Sequence, residues 1–380
     1  MNRREFLYLM LACGMVPLTT ANLRSCEGCL PWGRGGGNTP GVWAWLRMFE
    51  TSGDYGIPTS EAEYTENLDR IYAALPLNGG KLQADGTWQQ ESWKTDSAWA
   101  RNLPATARKA GQLYMPGVGN DRQGIVAVLQ SPPLQEAAAN SLVELAVEDR
   151  HDAPWDGVYL DLEGIPYEYG AQLSDFLVLL AQYIKDAGLR VGISVRGRTG
   201  DSGSDPPDAY TYDFGVVGEI ADYVDLRCYN YWAPPPRSIA PFWWIEECIQ
   251  YALRYGISER QLTLGLGTFS EYRFDVNEAH SDEITYAHAM ETVAAHGAAS
   301  VWVEENENGI VREYLAEVGG GTICIHDAMT HGLGLQLVNQ FDLLGTTLFA
   351  PGMSDPAIWA VIEAWLRPQP HFLPWISAIV

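Results

Sequence analysis

The chain has 380 residues, of which 47% are hydrophobic and 19% are charged. Its 48 acidic and 24 basic side chains give a net charge of −24, which argues against nucleic-acid binding because a phosphate backbone requires a basic face. An aromatic content of 11% excludes disorder along the whole chain. The length fits one large α/β barrel or two average domains, and the charge suits a neutral or cationic substrate.

The first 21 residues have the pattern of an export signal. The basic pair Arg3 and Arg4 precedes a short apolar run to Leu18 and then small residues, which resembles a twin-arginine signal. We therefore predict an exported protein of the periplasm, cell envelope or exterior, without a membrane span. Lipid attachment at Cys13 is disfavoured because Arg4 and Glu5 lie close to it. The alternative is an uncleaved or wrongly assigned start.

The cysteines and histidines do not predict a metal site. Cys26 and Cys29 form one C-x-x-C in a Gly-rich leader, residues 22–39, and zinc would require a second pair. A local disulfide or two inert thiols is the better interpretation. The remaining internal cysteines have apolar neighbours and are predicted core residues, namely Cys228, Cys248 and Cys324. The seven His are scattered without ligand spacing, so we predict that they are surface or ordinary core residues.

From Pro40 onward, short apolar runs alternate with helical patterns such as Gln172–Ala187, which Gly188 follows as a cap. The predicted strands are Val42–Leu46, Ala74–Leu77, Gln112–Val118, Gly157–Leu162, Arg190–Val195, Tyr223–Tyr231, Gln261–Leu266 and Thr346–Ala350. Eight such units, in roughly the 250 residues that a barrel needs, favour an α/β fold of the (β/α)₈ TIM-barrel class over an open sheet. No G-x-G-x-x-G follows the first strand, which weakens a nucleotide-binding alternative.

The connection before the last strand is far longer than a usual βα connection. We predict that residues 268–345 form a small α+β insertion with strands at Ser300–Glu304 and Thr322–His326. The predicted barrel spans residues 40–368, and residues 369–380 form a C-terminal tail.

The fourth predicted strand carries two carboxylates at its end. Tyr159, Asp161 and Glu163 share one face of the strand, because side chains alternate. Barrel enzymes place their sites at the carboxyl ends of the strands. Repulsion between two neighbouring carboxylates favours a protonated donor beside an ionised partner. A salt-bridged buried pair is the alternative, whereas hydrolysis through a metal is disfavoured because no His joins the pair on this strand.

The sixth predicted strand repeats this pattern. Asp225, Arg227 and Tyr229 face one way, and Asn230 ends the strand beside Tyr229. A Tyr and an Asn opposite two carboxylates suit an amide, which offers a carbonyl and an N–H. Alternatively, Tyr229 is a core ring whose hydroxyl binds the backbone.

At these residues the sequence resembles glycoside hydrolase family 18, the chitinase-like enzymes. The family pattern D-x-x-D-x-D-x-E corresponds to Asp156, Tyr159, Asp161 and Glu163, and M-x-Y-D corresponds to the segment 227–230. The sequence also resembles the family at residues 221–224, 264–267 and 352–356, so the resemblance covers roughly residues 40–367. Within the family, the sequence is most similar to the branch that includes bacterial spore-cortex and peptidoglycan N-acetylglucosaminidases, which also has the insertion.

The resemblance implies retaining hydrolysis of a polysaccharide with β-linked N-acetylglucosamine, assisted by the substrate's own acetamido group. In this scheme Glu163 protonates the leaving oxygen, Asp161 orients the acetamido N–H and Tyr229 holds the acetamido oxygen. No metal or organic cofactor takes part. The implied substrate-binding residues are Asp156, Tyr159, Arg227, Asn230, Trp232 and Phe349.

Three departures from the family pattern bear on activity. Tyr159 replaces an inner Asp, Arg227 replaces Met, and Phe349 stands where a Trp usually forms the floor of the sugar site. We expect Arg227 to pair with Asp161, Asp225 or both. A catalytically weak sugar-binding relative and an envelope scaffold are the alternatives to an enzyme. Three tryptophans are candidates for sugar stacking or for the core, namely Trp232, Trp243 and Trp244.

Overall fold

The computed structural model describes residues 41–51, 56–77, 79–90, 97–147, 155–201, 207–231, 238–273, 282–306 and 309–367. The predicted export signal, the Gly-rich leader and the C-terminal tail lie outside these residues, as do Cys13, Cys26, Cys29 and Trp232.

The strands form two sheets. They are β1 Gly41–Leu46, β2 Ala73–Pro76, β3 Gly80–Leu82, β4 Trp88–Gln89, β5 Leu113–Tyr114, β6 Gly117–Asn120, β7 Gly157–Leu160, β8 Arg190–Arg196, β9 Tyr223–Arg227, β10 Leu262–Gly267, β11 Ser270–Arg273, β12 Asp282–Ile284, β13 Val301–Asn306, β14 Gly309–Val318, β15 Gly321–Ile325 and β16 Gly345–Phe349. The larger sheet has 11 strands in the order β4-β3-β6-β7-β8-β9-β10-β16-β1-β2-β5. All its pairs are parallel except β3 with β4.

The larger sheet closes on itself because β5 and β6 are consecutive in the chain. The Met115 amide donates to the Ala74 carbonyl on one side, and the Pro116 carbonyl accepts from the Tyr159 amide on the other. Together β5 and β6 occupy one position of an eight-strand barrel, with β1, β2, β7, β8, β9, β10 and β16. The prediction of one strand over Gln112–Val118 was wrong, because Pro116 lacks an N–H and divides it.

The helices between the strands are α1 Glu61–Glu66, α2 Ala98–Lys109, α3 Arg122–Leu129, α4 Pro132–Val147, α5 Gly170–Asp186, α6 Phe214–Ile220, α7 Phe242–Arg254, α8 Tyr286–Ala295, α9 Ala328–Gln340 and α10 Ile358–Leu366. Helix α5 agrees with the predicted Gln172–Ala187, and it buries the predicted apolar stripe of Leu173, Phe176, Leu177, Leu180 and Ile184. Gly188 follows with φ of 79°, a conformation that suits glycine at a helix end.

Aromatic side chains fill the lumen of the barrel. Trp43, Trp45 and Tyr159 pack there with Leu75 and Met115. The Trp45 and Tyr159 rings meet edge to face with centroids 5.2 Å apart. Glycines on neighbouring strands leave space for these rings: a Cβ at Gly192 on β8 would lie 2.4 Å from the Tyr159 ring. The floor beneath the barrel mouth is therefore built from large rings rather than from aliphatic layers.

The smaller sheet has five strands in the order β12-β11-β15-β14-β13, and its pairs are antiparallel. With helix α8 it encloses an apolar cluster that includes Tyr272, Ile284, Val293 and Ile323. Strands β13 and β15 correspond to the predicted Ser300–Glu304 and Thr322–His326. The sheet falls within residues 268–345, and the predicted limits of the insertion stay a prediction.

Cys228, Cys248 and Cys324 are buried, in agreement with their prediction as core residues. Within the described ranges, no helix has the length and hydropathy needed to cross a membrane.

Candidate active site

Asp161 and Glu163 lie in the loop that follows β7 at the carboxyl end of the barrel. Strand β7 ends at Leu160 rather than at the predicted Leu162, although the Asp161 amide still donates to the Val118 carbonyl at 2.9 Å. The exposed fraction of the side chain is 23% for Asp161 and 52% for Glu163. Glu163 is thus accessible at the mouth of the barrel, and Asp161 lies deeper.

Asn120, the last residue of β6, holds the backbone of Glu163 at two points. The Glu163 amide donates to Asn120 Oδ1 at 2.8 Å, and Asn120 Nδ2 donates to the Glu163 carbonyl at 3.0 Å. The sequence interpretation missed Asn120. A polar residue at the carboxyl end of a barrel strand was the available signal.

Arg227, the last residue of β9, contacts both carboxylates. Its Nη1 lies 3.5 Å from Asp161 Oδ1 and also forms an ion pair with Glu163 Oε1. The contact with Asp161 was expected, whereas the pairing with Glu163 was not. The structure thus places one guanidinium between the two carboxylates.

Of the two expected partners of Arg227, the structure has an ion pair with Asp161, whereas Asp225 forms its contacts elsewhere. Asp225 faces the lumen below the site, where its Oδ2 accepts hydrogen bonds from Trp45 Nε1 at 2.9 Å and from Ser194 Oγ at 3.3 Å. Burial raises the pKa of Asp225 to about 7, and the charge of Asp161 contributes in the same direction. Asp225 is consequently a buried acid rather than a partner of the arginine.

Tyr159 is fully buried, so the prediction that it binds substrate was wrong. Its ring belongs to the lumen core because Gly192 leaves space for it. Burial, and next the charge of Asp225, raise the pKa of Tyr159 well above its ordinary value. Tyr159 is therefore a neutral side chain that occupies the lumen beneath the two site carboxylates.

Tyr229 and Phe349 form an aromatic wall beside Arg227. Their rings stack with centroids 5.5 Å apart and planes inclined by 18°, and Phe269 meets Tyr229 edge-on at 5.8 Å. Burial raises the pKa of Tyr229 well above its ordinary value, and the charge of Arg227 only partly opposes this. Tyr229 thus keeps a hydroxyl that can donate a hydrogen bond at neutral pH.

Asn230 connects the barrel to the smaller sheet. It has a positive φ of 55°, its carbonyl accepts from Arg196 Nη2 at 3.1 Å, and its Nδ2 donates to Glu283 Oε1 on β12 at 3.4 Å. Burial raises the pKa of Glu283, and the hydrogen bond from Asn230 opposes this shift. Glu283 was not predicted, because nothing in its local sequence places β12 beside the barrel mouth.

The structure does not bring every predicted residue to the mouth. Asp156 precedes β7 at the opposite end, about 16 Å of extended chain from Asp161, and its Oδ2 accepts from the Tyr114 amide at 2.9 Å. Its assignment as a substrate-binding residue was therefore wrong. Trp244 is buried in α7, and both it and Trp243 contact the Tyr231 ring. Trp232 lies outside the described residues.

No family model matches this chain. A curated relative, the uncharacterised glycosylase YvbX of Bacillus subtilis, is 20% identical over 211 residues, which are 54% of this chain. The chain spans 60% of the length of that relative.

Solved structures are similar over most of the chain. A chitinase of Chromobacterium violaceum has a TM-score of 0.70 at 20% identity, with 87% of this chain and 100% of that chain covered. A class V chitinase of Pseudomonas fluorescens has a TM-score of 0.70 at 18% identity, with 86% and 100% covered. The spore cortex-lytic enzyme SleL of Bacillus megaterium has a TM-score of 0.68 at 16% identity, with 85% and 73% covered.

The chain is thus an α/β protein with the (β/α)₈ barrel of chitinase-like proteins, and the predicted fold class is confirmed. The resemblance to the chitinase-like family and to the spore cortex-lytic enzymes is confirmed as well, at the level of the fold.

Proposed function

We propose that this protein is a glycoside hydrolase that cleaves polysaccharides containing β-linked N-acetylglucosamine, either chitin or peptidoglycan. The observation that carries the proposal is the pair of carboxylates at the barrel mouth, with Glu163 accessible and Asp161 behind it. The similarity of the fold to chitinases and to a cortex-lytic enzyme supports the same class of substrate.

The proposed reaction is retaining and assisted by the substrate. Glu163 gives its proton to the leaving oxygen as the glycosidic bond breaks, and the acetamido oxygen forms a bond to the anomeric carbon. Asp161 accepts the acetamido N–H and balances the positive charge of the ring that forms. Tyr229 donates its hydroxyl to the acetamido oxygen, and Phe349 lies beneath the sugar. Water then opens this ring and returns a proton to Glu163.

The ion pair between Arg227 and Glu163 must open during this cycle. A carboxylate held by a guanidinium is ionised, and an ionised Glu163 has no proton to give. Since Arg227 also contacts Asp161, a sugar that enters the mouth can displace Arg227 from Glu163, and Arg227 then pairs with Asp161 only. Glu163 then binds its proton within the desolvated complex.

The test is the rate of hydrolysis of a fluorogenic N-acetylglucosamine oligomer by Glu163→Gln. We expect the variant to fold and bind as the parent does and to lose at least ~10²-fold in turnover, the scale of a lost general acid. Glu168→Gln is the control, because Glu168 is exposed in a neighbouring 3₁₀ turn. Equal rates for parent and Glu163→Gln would contradict the assignment. Product analysis with chitin and with peptidoglycan then identifies the polymer.

A sugar-binding protein with little or no turnover is the second candidate function. The contact between Arg227 and Glu163 favours it, because this contact holds the proposed proton donor in its ionised form. A parent protein that retains chitin or peptidoglycan in a pull-down, yet releases no product, would establish this alternative. An envelope scaffold would neither retain these polysaccharides nor release product.

We also propose export to the periplasm, the cell envelope or the exterior, on the strength of the first 21 residues. Replacing Arg3 and Arg4 with Lys should retain the protein inside the cell, as cell fractionation would detect. Unchanged distribution would contradict a twin-arginine signal.

A further inference from the structure

Arg47 lies at the mouth of the barrel, one layer above the aromatic lumen. Trp43 and Trp45 on β1 fill the lumen, and Trp45 Nε1 reaches Asp225 there. Side chains alternate along a strand, so Arg47, which directly follows β1, continues this lumen-facing series about 7 Å nearer the mouth. In the register of the sheet, Trp45 lies opposite Phe349 of the aromatic wall. Arg47 therefore lies beside the end of that wall.

The backbone of Arg47 is held at both of its polar groups. Its amide donates to Ser60 Oγ at 2.9 Å, and its carbonyl accepts from the Ser60 amide at 3.0 Å. Ser60 Oγ donates in turn to the Pro351 carbonyl, in the loop after β16, at 2.6 Å. Ile57, from the same connection, packs in one apolar cluster with Tyr229. The position of Arg47 at the mouth is thus fixed before a ligand binds.

The guanidinium of Arg47 is nearly buried, yet it forms no ion pair with a carboxylate of the described residues. Arg47 is 8% exposed, and among these residues its Nε has no hydrogen-bond partner. Its CZ lies 5.9 Å from the centre of the Phe49 ring, the outer limit of a cation–π contact. Burial lowers the pKa of Arg47, and the charge of Glu283 only partly opposes this. Because an arginine stays charged at neutral pH, the protein retains a costly buried cation.

The arginines at the ends of β8 and β9 differ from Arg47 in this respect. Arg227 contacts both site carboxylates. Arg196 lies 3.5 Å from Asp208 and also donates to the Asn230 carbonyl. Buried donors in folded proteins nearly always have a partner. A fixed guanidinium without an anion, at the opening through which substrate enters, therefore indicates that the ligand supplies the anion.

Among polymers of N-acetylhexosamine, the anion that matches a guanidinium is a carboxylate. The N–H groups form a planar fork that binds both carboxylate oxygens. Chitin is uncharged, whereas a peptidoglycan strand carries carboxylates on the lactyl groups of its muramic units or on the peptides attached to them. The net charge of −24 repels a polyanion as a whole. A single local cation at the mouth is then the point at which one carboxylate binds.

We infer that Arg47 is a specificity-determining residue that binds a carboxylate of the glycan, so that the mouth takes an acidic N-acetylhexosamine polymer in preference to chitin. The inference rests on the proposed function and deepens it. Strand β1 lies three positions from β7 in the barrel, with β2 and the β5–β6 position between them, so Arg47 is nearly across the mouth from Glu163. Because Glu163 serves the leaving oxygen, the unit that Arg47 contacts belongs to the retained side of the cleaved bond.

The first arm of the test measures binding in a Glu163→Gln background, which requires no turnover. The probes are glycan strands of peptidoglycan without stem peptides, which have free lactyl carboxylates, and strands with their stem peptides. Each probe is compared with the same strands after conversion of the carboxylates to methyl amides. We expect a charged probe to bind at least ~10-fold more tightly than its amide, the scale of a charged hydrogen bond.

The arginine variants then decide which residue is responsible. Arg47→Met should abolish the preference for the charged form, and Arg47→Lys should keep part of it. Arg254→Gln is the control, because Arg254 is exposed at the end of α7, and it should keep the whole preference. An Arg47-dependent preference identifies the lactyl or the peptide carboxylate by the probe that shows it. Equal binding of charged and amidated forms of both probes, or a preference that survives Arg47→Met, overturns the inference.

The second arm is thermal unfolding without ligand. Arg47→Met removes a buried cation that lacks a partner, so its Tm should be no lower than that of the parent. Arg227→Met is the contrast, because it leaves two carboxylates without their arginine, and its Tm should fall. An equal fall in Arg47→Met would show that Arg47 already has a partner within the protein, which overturns the inference.

Failure of the inference and failure of the proposed function give different results. A parent that binds charged strands through Arg47 and releases no product contradicts the proposed function and leaves the assignment of Arg47 in place. A parent that hydrolyses charged and amidated strands with equal kcat/KM keeps the proposed function and overturns the inference.

Discussion

Arg227 is the residue on which the chemistry of the site depends most. Its guanidinium contacts both Asp161 and Glu163 from one position, which the Met of the family pattern cannot do. We predict that Arg227→Met lowers the rate of hydrolysis across its pH profile, because two neighbouring carboxylates are then left without a counter-charge. Arg227→Lys is the matched control, since it keeps the charge. Superimposable profiles for parent and Arg227→Met would eliminate this role.

Asn120 positions Glu163 through the backbone alone. Asn120→Ala removes both hydrogen bonds to residue 163, and a loosened general acid loses its alignment with the leaving oxygen. We expect kcat to fall about tenfold while KM changes little. Asn140→Ala, which removes a comparable exposed side-chain hydrogen bond on α4, is the control. If both variants have the parent's kcat, Asn120 does not position the acid.

Part of the site was predictable because strands alternate. The spacing of Tyr159, Asp161 and Glu163 indicated the right end of the barrel, and the spacing of Asp225 and Arg227 indicated a second strand that faces it. The contact of Arg227 with Asp161 was predicted, whereas its contact with Glu163 was not. Whether Arg227 reaches Glu163 or Asp225 depends on where β7 ends, and the alternation continues past Leu160 although the strand does not.

At the scale of elements, β8 shows how a small residue determines the filling of the lumen. A Cβ at Gly192 would lie 2.4 Å from the Tyr159 ring. We predict that Gly192→Ala destabilises the protein by about 1–3 kcal/mol through overpacking. Gly119→Ala on β6 is the control, because its Cβ would meet only the Asp161 carbonyl at 3.5 Å. Denaturant unfolding measures both, and equal midpoints would show that the ring can move aside.

Elements whose apolar residues recur with a regular period were predictable from the sequence, and short polar elements were not. Helix α5 has a regular apolar stripe, and its observed limits differ from the predicted ones by a residue or two. Strands β11 and β12 have four and three residues, too few for a pattern to emerge. They form through pairing with distant strands, which local propensity cannot indicate.

At the scale of the whole molecule, a buried acid and a buried histidine have opposite effects on how stability changes with pH. Burial raises the pKa of Glu313 from 4.5 to about 8 and lowers the pKa of His326 from 6.5 to about 4. The native state holds the Glu313 proton more tightly than the unfolded chain, so stability falls as pH rises from about 4.5 to about 8. His326 excludes a proton that the unfolded chain accepts, so stability falls as pH drops from about 6.5 to about 4.

We predict that Glu313→Gln reduces the alkaline part of this loss. The glutamine oxygen can still accept from the Ile239 amide, but it brings no proton to lose. The Tm of the variant relative to the parent should therefore rise between pH 5 and pH 8. A difference that does not change with pH would show that Glu313 titrates near its ordinary value in the folded protein.

The smaller sheet begins and ends at neighbouring strands. The chain enters the sheet through β11 and leaves it through β15. These two strands pair directly, with Glu271 opposite Cys324. The sheet also encloses its own apolar cluster, while the barrel strands on either side of it, β10 and β16, pair with each other over five residues. Because β10 and β16 pair with each other, the register of the barrel does not depend on the length of the segment between them. Since the smaller sheet carries Glu283 to the mouth, swapping it between related barrels is a route by which evolution, or a protein engineer, can alter substrate preference while the carboxylates stay in place.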